Sequence, residues 1–183
     1  LQSAYCGAKA AIRGFTDAVR TELMHENSRV QLSMVQMPGL NTPQFDWARN
    51  KFAWSMRPVP PVFEPEVAAS AIFKVAQKPV RELWVGSSTI QSIVGQFLFP
   101  GFLDRLMVKK AWEGQMTDDL NDRDRQDYLD QPVNDLHKIH GRFTPEAKNR
   151  ATAITSGVPG KVLLGSLAVA GVVLTRLMTR RKR

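Results

Sequence analysis

Apolar residues recur at three- and four-residue spacing from the start of the chain. Ala4, Ala8, Ala11, Ile12, Phe15, Val19 and Leu23 form one stripe, and the spacing predicts a helix over residues 3–24. Small residues (Ala4, Gly7, Ala8, Ala10, Ala11, Gly14) let that helix approach a neighbour closely, and Asn27-Ser28 ends it. Val30, Leu32 and Met34, with Val35 and Met37, predict a short, largely buried strand, which Pro38-Gly39 stops at its carboxyl end. Residues 40–63 show no clear period. PQFDWARNKFAW carries Phe45, Trp47, Phe52 and Trp54, and the proline-rich RPVPPVFEP is expected to be extended. Pro65 suits the first turn of a helix over about 65–78, whose stripe is Val67, Ala68, Ala71, Ile72 and Val75. Glu82-Leu83-Trp84-Val85-Gly86 predicts another strand.

Helix, strand, loop, helix, strand is the alternation of an α/β fold with a parallel sheet. After Gly86 the character changes. Residues 88–113 predict helix interrupted around Phe99-Pro100-Gly101, TDDLNDRDRQDYLD reads as an acidic, solvated loop, and 144–160 read as a linker. The expected organisation is therefore a partial α/β domain over 1–86, a helical and loop extension over 87–143, the linker 144–160, and an apolar helix with a basic end over 161–183.

Composition adds limits. Of 183 residues, 43% are hydrophobic and 23% charged, which is globular and not disordered. The single cysteine, Cys6, excludes an intrachain disulfide framework and any CxxC metal site, and it reads as a small packing residue. The net charge is +8, of which +6 belongs to Lys161, Arg176, Arg180, Arg181, Lys182 and Arg183, leaving +2 for residues 1–160. The basic tail has no aromatic residue, so nucleic acid is not the expected partner. Val162 to Leu174 carries no charged residue but falls short of the ~20 apolar residues of a spanning helix. Small residues within it and the RRKR end suit membrane contact through 161–183, with the domain on the cytoplasmic side. An ordinary docked helix is the alternative. His137 and His140 are three apart, but no carboxylate–histidine or cysteine partner follows in a metal pattern. They read as surface or packing residues, and no metal site is expected.

The candidate chemistry sits on the first helix. Tyr5 and Lys9 are four residues apart, so phenol and ammonium face the same way. A free phenol titrates near pH 10, and a cation within ~4–6 Å favours its ionised form. Such a pair is a sensible device for proton transfer near neutral pH. The same spacing also arises by chance in many helices.

Tyr5-Cys6-Gly7-Ala8-Lys9-Ala10-Ala11, the strand VQLSMVQMPG and Thr42 together resemble the carboxyl-terminal half of a short-chain dehydrogenase/reductase, over about residues 1–86. The resemblance implies the latter part of a doubly wound, Rossmann-type parallel sheet. It implies that Tyr5 exchanges a proton with the substrate oxygen, that Lys9 assists Tyr5 and binds the nicotinamide ribose, and that Pro38, Gly39 and Thr42 line the nicotinamide pocket. NAD or NADP is the implied cofactor, a small carbonyl or alcohol the implied substrate, and pairing of two subunits through the first long helix an implied assembly. The aromatic segment 45–63 would cover the substrate. The family's glycine-rich phosphate loop and its upstream serine are absent, and Thr42 comes one residue earlier after Pro-Gly than in many members. The chain, which begins at Leu1, is thus expected to be a fragment that is inactive alone. The rival expectation is a non-catalytic, membrane-tethered interaction module on a dehydrogenase-like scaffold.

Overall fold

A computed structural model describes residues 2–134 and 137–157. The fold is α/β. Helix α1 spans Ser3–His25, as its periodicity predicts, and leads to strand β1, Met34–Gln36. Helix α3, Pro65–Gln77, then carries the chain to strand β5, Glu82–Val85, which pairs parallel to β1 with Met34 opposite Glu82 and Gln36 opposite Trp84. A helix between two parallel strands is the unit that the alternation of elements predicts.

Between β1 and α3 the aperiodic stretch holds four short elements. These are β2 (Gly39–Leu40), α2 (Gln44–Trp47), β3 (Trp54–Met56) and β4 (Val62–Phe63), with β2 parallel to β4. Strands of two or three residues are too short to display a period, so the sequence pattern cannot reveal them. The first predicted strand is also shorter than expected, since Val30 and Leu32 lie outside it and Val30 is exposed.

The core forms where α3 meets the sheet. Phe63, Val67, Ala71 and Val85 are buried together, with Val35, Met37, Leu40, Leu83 and Ala151 packed against them. Val67, Ala71 and Val75 lie four apart and make the inward face of α3. Ile72, placed in that stripe from spacing, is instead exposed, because it sits on the flank of the helix away from Val67 and Ala71.

Two segments differ more sharply from expectation. Residues 144–160, read as a linker, contain strand β7, Ala153–Thr155. It pairs antiparallel to β5 and completes a three-stranded sheet in the order β1-β5-β7. Lys148 also bridges to Phe63. The acidic run is not a free loop either. Strand β6, Met116–Leu120, pairs antiparallel to β3, and the Arg125 guanidinium donates to the carbonyls of Phe45, Asp46 and Ala48 at the end of α2. Those carbonyls lack helical partners, and a guanidinium supplies donors for several at once. Arg49 pairs with Asp127 and Asp130. The acidic charges are therefore used, through partners distant in sequence.

Helices α4, Ser87–Leu98, and α5, Pro100–Gly114, meet at Phe99, where the interruption was expected. No helix of the described residues is long and apolar enough to cross a membrane. The expected apolar helix over 161–183 lies outside the described residues.

Candidate active site

Tyr5 and Lys9 occupy the first two turns of α1. The Lys9 ammonium lies 5.3 Å from the centre of the Tyr5 ring, so the two side chains do share a face. Both are exposed, and no residue of α1 is buried. Cys6 is exposed as well, not packed. The helix is instead held by charges. Arg13 donates to the buried Glu82 carboxylate at 2.9 Å, Arg20 reaches the Leu32 carbonyl, and Asp17 pairs with Arg20 and Arg81. These contacts fix α1 beside the start of β5 and leave its amino-terminal turns facing outward.

Pro38, Gly39 and Thr42 follow β1. All three are half-buried. Gly39 is tightly confined, since a Cβ there would stand 2.7 Å from the Val59 carbonyl oxygen, and this close approach is what allows β2 to lie along β4. The Thr42 N–H donates to the Leu40 carbonyl at 3.0 Å. Among the described residues no hydrogen bond joins Tyr5 or Lys9 to Pro38, Gly39 or Thr42. The five residues thus form two groups, a pair on α1 and a loop beyond β1. The aromatic segment reaches towards the first group. Gln2, just before α1, shares a cavity of about 60 Å³ with Phe45, Phe52 and Met56.

The sequence reading missed Asn41, which is fully buried. Its amide donates to the Glu64 carboxylate and to the Thr144 hydroxyl, each at 2.9 Å, and its side-chain oxygen accepts the Phe143 N–H at 3.0 Å. Its backbone N–H donates to the Phe63 carbonyl, and its carbonyl accepts the Gly141 N–H. The Asn41 side chain so ties the loop containing Thr42 to Glu64, just before α3, and to residues 143 and 144, and its backbone carbonyl adds Gly141. Gly141 is needed here, because a Cβ would stand 2.6 Å from the Thr42 carbonyl oxygen. Nothing in the sequence around Asn41 signals this, since its partners lie far along the chain.

His140 also has a partner that spacing could not show. Its Nε2 lies 2.7 Å from the Glu66 carboxylate, and Glu64 stands beside both. One donor atom from each of these three residues lies within 4.8 Å of the others. The Glu66 carboxyl is held below the usual carboxylate range, chiefly by its own backbone N–H at the start of α3 and further by His140, with desolvation opposing.

The protein thus combines an α/β fold containing parallel strands with a tyrosine–lysine pair on an exposed helix face. No protein-family model matches the chain, and no solved structure matches it. The chain is similar to an uncharacterized oxidoreductase, YxnA, of Bacillus subtilis (strain 168), at 27% identity over 180 residues, covering 94% of this chain and 48% of that protein. It spans about half the length of the curated relative it matches.

Proposed function

We propose that this chain carries the proton-transfer part of an NAD(P)-dependent oxidoreductase of the short-chain dehydrogenase type. The observation that carries the reading is the Tyr5–Lys9 pair, with phenol and ammonium on one exposed face of α1. The parallel β1–β5 unit with α3, and the similarity to a protein named as an oxidoreductase, support it.

The donor chemistry fits the nicotinamide riboside end of such a cofactor. An ammonium and a phenol suit ribose hydroxyls, and the half-buried Thr42 offers a hydroxyl for a carboxamide. The chain has no glycine-rich loop for the pyrophosphate. When bound, the nicotinamide supplies or takes the hydride at the substrate carbon. Tyr5 Oη gives a proton to the carbonyl oxygen during reduction, or receives one from the alcohol during oxidation. Lys9 holds the ribose and places positive charge beside the phenol. Pro38 and Gly39 would line the nicotinamide side of the site. Phe45 and Phe52, which border a cavity with Gln2 just before α1, would offer an apolar side to the substrate.

Changing Tyr5 to Phe in the complete protein should lower turnover by about 10²–10⁴-fold while leaving nicotinamide binding intact, as loss of a positioned acid does. The check is hydride-transfer rate set beside cofactor affinity by fluorescence. Unchanged turnover would remove the role and favour the interaction-module reading. We place membrane contact through residues 161–183 in the same proposal, on the uncharged run Val162 to Leu174 and the basic end. Flotation with anionic vesicles, with and without that segment, tests it separately.

A further inference from the structure

We infer that Glu64, Glu66 and His140 form a site for one divalent cation of the zinc class, which fastens residues 140–144 to the start of α3. The site is separate from the Tyr5–Lys9 pair, and the inference does not rest on the oxidoreductase reading.

The first observation is a buried acidic side chain with spare acceptor capacity. Glu64 is only 6% exposed, yet its hydrogen bond comes from a neutral amide, that of Asn41 at 2.9 Å. Among the described residues no lysine or arginine pairs with it. A carboxyl group with one neutral donor has lone pairs left for a further partner. The second observation is the pair beside it. Glu66 adds another carboxylate and His140 an imidazole, and one donor atom from each of the three residues lies within 4.8 Å of the others. Around an ion with ligand bonds of ~2.0–2.2 Å, tetrahedral donors stand roughly 3.4 Å apart. Glu66 and His140 are exposed, so modest rotation of their side chains closes the difference.

The donor set selects the ion. One imidazole with two carboxylates suits zinc and its neighbours, whereas calcium and magnesium take oxygen ligands. Three protein ligands leave a fourth position for water. The amino end of α3 opposes a cation with roughly half a unit charge, which two carboxylates outweigh. The ion would replace the hydrogen bond that now joins His140 to Glu66 at 2.7 Å.

The consequence follows from what lies next to His140. Gly141, Phe143 and Thr144 all bond to Asn41, beside Thr42. A metal bond from His140 to α3 would therefore tighten the strap over that loop.

The test is titration of the full chain, freed of metal by a chelator, with Zn²⁺ alone. Expected are one ion bound per chain, a raised melting temperature, and slower amide exchange over residues 140–144. Glu66→Gln and His140→Ala, both at exposed positions, should each weaken binding at least about tenfold, while His137→Ala should not. Glu64→Gln is a weaker test because that residue is buried. Absence of binding, or binding that Glu66→Gln and His140→Ala leave intact, overturns the inference.

Discussion

Helix α1 and the region around Asn41 use opposite means of holding a functional group. Tyr5 and Lys9 stand on a helix with no buried residue, whose Phe15 is 71% exposed and which is moored by Arg13, Asp17 and Arg20. Thr42 stands in a loop whose neighbour Asn41 is 0% exposed and is bonded to two separate parts of the chain, the start of α3 and residues 143–144. Ion pairs with one partner in solvent contribute little, whereas satisfied buried polar groups are costly to disturb. The chemistry proposed for α1 is thus carried on a helix that surface charges orient. The loop that holds Thr42 is fixed by buried hydrogen bonds.

Substitutions can break that contrast. The largest effect should come from Phe63→Ala, which empties a site in the core beside Val67 and Val85 and should cost about 3–5 kcal/mol in a urea melt. Phe15→Ala, the same change on α1, should cost under about 0.5 kcal/mol. Equal costs would mean that α1 packs as a core element and that the contrast is wrong. Asn41→Ala comes next. It strands the Phe143 N–H and removes the donor to Glu64, so a loss of about 2–4 kcal/mol is expected, together with faster amide exchange at residues 141–144. A loss no larger than that of Phe15→Ala would show that the knot is not a stabilising centre.

The smallest effect concerns acid. Arg49 donates to Asp127 and holds its carboxyl below the ordinary value of 3.8. A carboxyl whose folded pKa is depressed stabilises the fold fully above its unfolded value and loses that contribution as pH falls through the lower, folded value. Asp127→Asn should therefore lower stability slightly near neutrality and flatten its loss as pH falls below 3.8, so that the two proteins converge in acid. An identical acid profile in the variant would show that this exposed pair does not hold the acidic segment in place.

Much of the frame was legible beforehand because it rests on local periodicity. The 23-residue α1, the α3 helix beginning at Pro65, the strand Glu82–Val85 and the break at Phe99 all follow from spacing and from proline placement. The i, i+4 relation of Tyr5 and Lys9 was legible for the same reason, because helix geometry alone sets it.

What tertiary structure decided lies where partners are far apart in sequence. Residues 153–155 carry no strand signal by themselves and become β7 because β5 offers an edge to pair with. The acidic run is ordered because Arg49 and carbonyls of the 45–48 turn stand opposite it. Asn41 and His140 acquire meaning only when residues 141–144 fold back over the start of α3. Periodicity records which face of an element is apolar. It carries no record of which distant donor meets which acceptor, and in this protein that pairing built both the knot at Asn41 and the cluster at His140.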